Sequence, residues 1–320
     1  MQIKSVDFLL TFKCPAKCKH CSYKAGPERK GHIDLKDAEG YLEELVKIQP
    51  LESITVHGGE PFLCFEQLKG IMKKAKELNL PQRGVITNSY WAKTQVVAKE
   101  KLIELKEAGL TRITFSFDAF HQEYIPVENV KNAIISAVNI GFDKLWVDSY
   151  FLGGLNADNI YNNSTRNARK VIENLKESDK FEINNYKADF EGRGAELVEY
   201  VEPKAEIPSG RCPQPFWIGG ELKSPTTIEI DCEGNVTLCP GICIGNTKNQ
   251  SLGKIIQEYN YSSHPILSKI VKEGPIGLLK TARIKGFKQQ TFADECHLCY
   301  EVRKFLSPHY PQHLAPASCY

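Results

Sequence analysis

Nowhere among its 320 residues does the chain approach the roughly 18 consecutive apolar residues that a membrane-spanning helix needs. A charge excess of one sign is also missing. The 41 Lys and Arg against 39 Asp and Glu leave a net +2, which gives no general reason to expect a nucleic-acid partner. The opening "MQIKSVDFLLTFKC" has neither the basic start, the apolar run nor the cleavage site of a secretory signal. Internal repeats and low-complexity tracts are absent as well. These absences lead to the expectation of a cytoplasmic protein with no membrane or nucleic-acid partner, in a compartment that keeps thiols reduced. The composition, 42% hydrophobic and 25% charged, is that of a globular chain long enough for one large domain or two ordinary ones.

Against that background, eleven cysteines are many. Cys14, Cys18 and Cys21 lie together near the start, and Cys212, Cys232, Cys239, Cys243, Cys296 and Cys299 lie late. Cys64 reads as packing, and Cys319 is expected to be exposed. A disulfide framework does not suit a reducing compartment or a chain this long, so metal or cluster binding is the better reading.

Hydrophobic periodicity organises the first two thirds. Candidate strands fall at 5–12, 53–57, 83–89, 112–118, 143–151 and 180–186, and helical patterns at 34–48 (opened by Asp34), 64–79, 94–108, 127–140 and 163–177. This α/β alternation predicts a parallel sheet with crossover helices, and six units suit a partial (β/α)6 barrel better than a closed eightfold one. Ligands are expected at the C-terminal strand ends, where Cys14, His57–Pro61, Asn88 and Asp118 all fall. A boundary is placed at residue 200. Residues 201–320 read as a small Cys-rich α+β domain with a β-hairpin in "TTIEIDCEGNVTLC" and a helix at 264–281.

"TFKCPAKCKHC" spaces three thiols as C-x3-C-x2-C. Zinc could accept them with His20 or His32 as a fourth ligand. A four-iron cubane held by three thiolates would keep one iron open for a further ligand. The spacing after a first strand, followed by "HGGEP" after the second, "TNSYW" after the third and "SFD" at the fourth, resembles the radical S-adenosylmethionine (SAM) superfamily over residues 1–190. The resemblance implies a 4Fe–4S cluster on Cys14, Cys18 and Cys21, with SAM supplying the missing ligation. It implies SAM contacts at Gly58, Gly59, Glu60 and Pro61, and nucleoside or substrate contacts at Asn88, Ser116 and Asp118. Arg193 in "FEGRGAE" is a further candidate, and His20 stands where the family usually carries an aromatic residue. The implied reaction is reductive cleavage of SAM to a 5′-deoxyadenosyl radical that abstracts a substrate hydrogen atom.

The later pattern, a cysteine, Gly234-x4-Cys239 and then Cys296-x2-Cys299, resembles the twitch (shortened SPASM) domain of the same superfamily. It implies a second, auxiliary 4Fe–4S cluster on Cys212, Cys239, Cys296 and Cys299; Cys212 lies further upstream than is usual, and Cys232 or Cys243 could replace it. A thiol zinc site is the bland alternative. The chain also resembles twitch-domain peptide epimerases in size and layout, in which Cys243 would be the thiol that quenches a substrate radical. Three outcomes follow: peptide modification such as epimerisation, auxiliary-cluster-assisted dehydrogenation or thioether formation on a peptide or sugar-like molecule, or a non-catalytic zinc or Fe–S protein. The basic loop bearing Lys13, Lys17, Lys19, Lys24, Arg29 and Lys30 could receive a flavodoxin or ferredoxin reductant. His121 and Glu123 are candidate substrate contacts.

Overall fold

Six of the apolar runs become parallel strands standing side by side in chain order: β1 (Ser5–Leu9), β2 (Ser53–His57), β3 (Gln82–Thr87), β4 (Arg112–Ser116), β5 (Lys144–Phe151) and β6 (Glu182–Lys187). The computed structural model describes residues 1–175, 180–202, 204, 206–213 and 219–320. The expected helix end at 176–177 and residues 214–218 of the "PSGRCPQPFWIGG" segment lie outside them. Helices α1 (Leu35–Ile48), α2 (Phe65–Glu77), α3 (Gln95–Ala108), α5 (Val127–Ile140) and α6 (Ile160–Glu173) connect the strands, with a one-turn α4 (Ala119–Gln122) before α5.

Alternation decides which strand face meets the helices. Val6, Phe8, Ile54, Val56, Ile113, Phe115 and Val147 are buried in one core with Leu42, Leu68, Leu102 and Ile134 of the helices. The intervening residues face the other side, in rows set by the strand register. Glu229, Asp7, Thr55, Gly84 and Arg112 form one row, Ile86, Thr114 and Trp146 the next, then Ser116, Asp148 and Asn184, and finally Tyr150 and Tyr186. Helix starts follow side-chain chemistry: Thr94 and Asn159 accept from Val97 and Asn162 N–H at 3.3 and 2.9 Å. The Asn159 cap starts α6 three residues before the apolar pattern does. Asp34 occupies the cap position of α1, but its side chain makes no capping bond.

The expected hairpin is present as β7 (Thr227–Asp231) and β8 (Asn235–Cys239), and a third strand, β9 (Ile242–Asn246), follows. Asp231 shapes the first turn, accepting from Glu233 and Asn235 N–H at 2.8 and 2.9 Å. β7 pairs in parallel with β1, so the nine strands make one open sheet in the order β6-β5-β4-β3-β2-β1-β7-β8-β9. The chain then forms α7 (Leu252–Glu258), α8 (Leu267–Glu273), α9 (Pro275–Ile284) and α10 (Glu295–Leu306). The single helix expected at 264–281 is therefore two. Gly274, at φ 77°, ends α8, and Pro275, which has no N–H to give, opens α9.

Cys319 corrects another expectation. It is 1% exposed. The closing segment folds back, with Tyr300 Oη donating to Cys319 O at 3.1 Å and Tyr320 Oη donating to Gly241 O at 2.6 Å. No described helix is long and apolar enough to cross a membrane.

Because β7 covers β1, a fragment ending at Glu202 would leave Val6 and Phe8 on a bare sheet edge. Such a fragment is expected to elute as aggregate in size-exclusion chromatography; a monodisperse fragment would show that the hairpin is dispensable for the barrel.

Candidate active site

Leaving β1, the chain carries Cys14, Cys18 and Cys21 on a loop tied to itself and to a distant segment. Cys14 N–H donates to Gly26 O at 3.0 Å, and Cys21 N–H to Cys18 O at 3.2 Å. The guanidinium of Arg193 clamps the loop, with Nε on Cys18 O at 2.8 Å and Nη2 on Ala25 O at 2.7 Å. Arg193 can come this close because Gly192 (φ 59°) presses against the loop; a Cβ there would lie 2.4 Å from Cys21 O. Cys14 and Cys18 are each 6% exposed. Burial, then the carboxyl of Glu60, pushes the Cys14 thiol up to about 12. Burial, then Cys21 and Asp118, pushes Cys18 up as well. Thiols in such a setting are stabilised as thiolates by a cation bound among them.

The turn after β2 is pressed onto this loop. Gly59 N–H donates to Thr11 O at 2.6 Å and Glu60 N–H to Lys13 O at 2.9 Å. A Cβ on Gly59 would sit 2.2 Å from Lys13 O, and one on Gly58 2.5 Å from Thr11 O. Glu60 is fully buried, and its carboxylate accepts from Asn88 N–H (2.8 Å), Thr87 Oγ1 (2.8 Å) and Phe62 N–H (3.1 Å). It thereby ties the turn to the end of β3. Burial nevertheless raises Glu60 to about 7. Pro61 opens a buried 3₁₀ turn whose Phe62 stacks on Trp91, with centroids 4.0 Å apart. Asn88 Nδ2 donates to Cys14 Sγ at 3.4 Å.

Asp118, also fully buried, caps α4 and accepts from the His121 ring at 2.9 Å; His20 Nε2 lies 4.0 Å from its other oxygen. Burial alone would raise Asp118, but His121 and then His20 outweigh it and hold the acid at about 2. Burial lowers His20 to about 4, with Asp118 opposing, and its ring stacks on Phe120 at 4.6 Å. Glu123 pairs instead with Lys19, at 3.5 Å.

Beneath these groups lies a cavity of about 440 Å³. Of the residues singled out in the sequence, Cys14, Cys18, His20, Cys21, Gly58, Gly59, Asn88, Ser116, His121 and Arg193 line it. Glu60, Pro61 and Asp118 stand behind the lining and hold it in place. The floor is polar: Tyr23 Oη donates to Glu229 Oε2 at 2.5 Å, and His57 Nε2 lies 3.1 Å from the same oxygen. Burial raises Asp7 to about 6 despite His57. On the β5–β6 side Trp146, Asp148, Tyr150 and Tyr186 line the wall.

The late cysteines divide. Cys299 and Cys212 lie within electrostatic reach of Cys239, and Cys299 within reach of Cys296; burial, then Glu191, pushes the Cys239 thiol up, while Arg303 opposes and Cys299 and Cys212 add. Arg303, 1% exposed, donates to Pro240 O at 2.6 Å and pairs with Glu191 at 3.3 Å. Glu191 and Pro240 themselves line the cavity. Cys232 faces β1's exit, accepting from Phe12 N–H. Cys243 is buried on β9, with Sγ 3.0 Å from Gly245 O, and is not among the cavity-lining residues.

The profile of the radical SAM superfamily matches residues 8–179. The chain belongs to that superfamily. Among curated relatives, it is 25% identical over 134 residues to the "Putative peptide biosynthesis protein YydG" of Bacillus subtilis (strain 168), covering 42% of each chain. It is 29% identical over 171 residues to the GTP 3′,8-cyclase of Aquifex aeolicus (strain VF5), covering 49% of this chain and 51% of that one. The chain thus spans about half the length of the curated relatives it matches. Among solved structures, BtrN in complex with AdoMet and 2-DOIA aligns with a TM-score of 0.49 and 11% identity, over 86% of this chain and 89% of that one. Streptococcus suis SuiB bound to S-adenosylmethionine aligns with a TM-score of 0.43 and 15% identity, over 80% and 65%.

A radical SAM enzyme carries a 4Fe–4S cluster and SAM, and the residues at this mouth suit both. Three cysteines of one loop line one cavity, with no fourth cysteine on the loop, and the flanking turn is open backbone that no Cβ could share. Sequence reasoning missed Tyr23, Glu229 and the β5 wall. The alternation of Trp146, Asp148 and Tyr150 against Leu145, Val147 and Phe151 in "KLWVDSYF" was the available signal.

Gly59→Ala is expected to displace the Cys14–Cys21 loop and to abolish iron incorporation there after anaerobic reconstitution. Gly40→Ala, at an α1 position with nothing within 4 Å of an added Cβ, is expected to load iron as the parent does.

Proposed function

We propose that this radical SAM enzyme removes a hydrogen atom from a peptide substrate and that the modification is completed as an oxidation. The observation that carries the reading is the single cavity that joins the Cys14–Cys18–Cys21 loop and the Gly58–Gly59 turn to a deep, polar and aromatic interior. On this reading Cys14, Cys18 and Cys21 hold the first cluster, with SAM against Gly58, Gly59, Asn88, Ser116 and His20. Bound there, cluster and SAM supply the one-electron chemistry that takes a hydrogen atom from a substrate carbon.

The chain's own residues set the stage for it. Arg193 fixes the loop through the carbonyls of Cys18 and Ala25, Glu60 fixes the turn, and Asn88 Nδ2 donates to a ligand sulfur. Asp118 holds His121 by a hydrogen bond, with His20 close to its other oxygen. Trp146, Tyr150 and Tyr186 give the interior an aromatic wall that sheds water. Similarity to a protein named for peptide biosynthesis supports a peptide as substrate. A flavodoxin or ferredoxin would deliver electrons at the basic loop, where Lys17 and Lys30 are exposed.

Cys212, Cys239, Cys296 and Cys299 would hold the auxiliary cluster, and the nearness of Cys212 to Cys239, with the separate surroundings of Cys232 and Cys243, supports Cys212 as the first ligand. A cluster held there supplies an electron acceptor. Glu191 links that site to the cavity wall, whereas the Cys243 thiol lies off the lining. This favours dehydrogenation or thioether formation over epimerisation with Cys243 as donor.

The anaerobically purified chain is expected to contain about eight irons and eight sulfides, falling to about four in Cys14/Cys18/Cys21→Ala and to about four in Cys239/Cys296/Cys299→Ala. About four irons in the parent, with zinc on the late cysteines, would remove the oxidative reading. Cys243→Ala is expected to leave the product unchanged; SAM cleavage continuing without product would restore epimerisation.

A further inference from the structure

On the inner face of β5, Asp148 stands between Trp146 and Tyr150, each about 6.5 Å away along the strand. Across the β5–β6 ladder Asp148 is in register with Asn184, and Tyr150 with Tyr186. Tyr150 and Tyr186 have ring centroids 5.7 Å apart. The Asp148 carboxylate accepts one side-chain hydrogen bond, from Asn184 Nδ2 at 3.0 Å, and pairs with no cation among the described residues. Burial raises it to about 6, so the site pays for an uncompensated acid. The cavity's two arginines are engaged elsewhere: Arg193 on the carbonyls of the cysteine loop, and Arg112 on Gln82 Oε1.

A carboxylate on a cavity wall that it shares with Trp146, whose indole N–H donates to Glu182 Oε2 at 3.2 Å, and with Tyr150 and Tyr186 is a receptor for an organic cation. The rings attract positive charge through their faces, the acid supplies a charge-assisted hydrogen bond, and exclusion of water strengthens both. An anionic or purely aliphatic group would leave Asp148 unpaired beside it. We propose that the wall formed by Trp146, Asp148, Tyr150 and Tyr186 recognises an alkylammonium group of the substrate, either a lysine side chain or a free primary amine. The proposal deepens the functional reading above and rests on its placing the substrate in this cavity.

The test is calorimetric titration of the full chain, without reductant, using three probes: Nα-acetyl-lysine N-methylamide, pentylammonium, and the uncharged Nα-acetyl-norleucine N-methylamide. Both cations are expected to bind at least about tenfold more tightly than the norleucine probe. A lysine probe tighter than pentylammonium identifies a peptide residue as the source, and equal affinity identifies a free amine. Asp148→Asn, which keeps an oxygen for Asn184, is expected to cost the cations about tenfold and the neutral probe nothing. Trp146→Leu, which leaves the acid in place, is expected to weaken the cations several-fold, so the proposal does not hang on one variant's folding. Equal binding of charged and neutral probes, no binding of any probe at millimolar concentration, or cation affinity unchanged in both variants would overturn it. So would an equal loss of SAM affinity in Asp148→Asn, which would assign the wall to the cofactor. Cation binding needs no turnover; a chain that binds the cations but never cleaves SAM would fail the functional reading and leave this one standing.

Discussion

The Gly58–Gly59 backbone lies against the carbonyls of Thr11 and Lys13 with no room for a side chain, and the rest of the mouth depends on that contact. It fixes where the chain turns after β2 relative to where it leaves β1, and so where Cys14 begins its loop. Glu60 makes the contact permanent by burying a carboxylate and satisfying it with three donors, two of them from the end of β3. Removing any of those donors would leave a buried acid short of partners, which is costlier than never having formed the network. Arg193 then closes the loop from the other side. A loop with many conformations is thereby reduced to one in which three thiols face a common cavity.

The late cysteines lie close behind one wall of the cavity. Arg303, buried and charged, pairs with Glu191 and lies beside Cys239 and Cys299, while Glu191 reaches the cavity. A buried ion pair of this kind is weak evidence for stability but strong evidence for position, because breaking it strands a charge. It places a fixed guanidinium next to Cys239 and Cys299 and a fixed carboxyl group between Cys239 and the cavity. The continuity of β7 with β1 gives the arrangement its rigidity, since the elements around Cys239 are part of the same sheet as the barrel.

Much of this was legible in the residues. Strand–helix alternation announced the six parallel strands, and the spacing of Cys14, Cys18 and Cys21 with the glycine turn announced the mouth. What was hidden depends on pairing between distant segments. Nothing local in "TTIEID" says that it docks on β1 or that Glu229 meets Tyr23 and His57. Glu60 and Asp118 were legible as candidates, but their bracing from behind the lining emerges only from their hydrogen bonds. Cys243 resembled a donor thiol in its motif, and only the fold shows that it is buried on β9 with its Sγ against Gly245 O. Cys319 was read from its place near the chain's end, where only tertiary contacts could reveal its burial.

The central claim is that the loop of Cys14, Cys18 and Cys21, braced by the glycine turn, is where SAM chemistry happens. The most direct measurement is 5′-deoxyadenosine formed from SAM by the reconstituted chain under strong reduction, compared with Cys21→Ala. The parent should form it and Cys21→Ala should not. Equal formation by both proteins, or none by a parent loaded with iron and sulfide, would contradict the account.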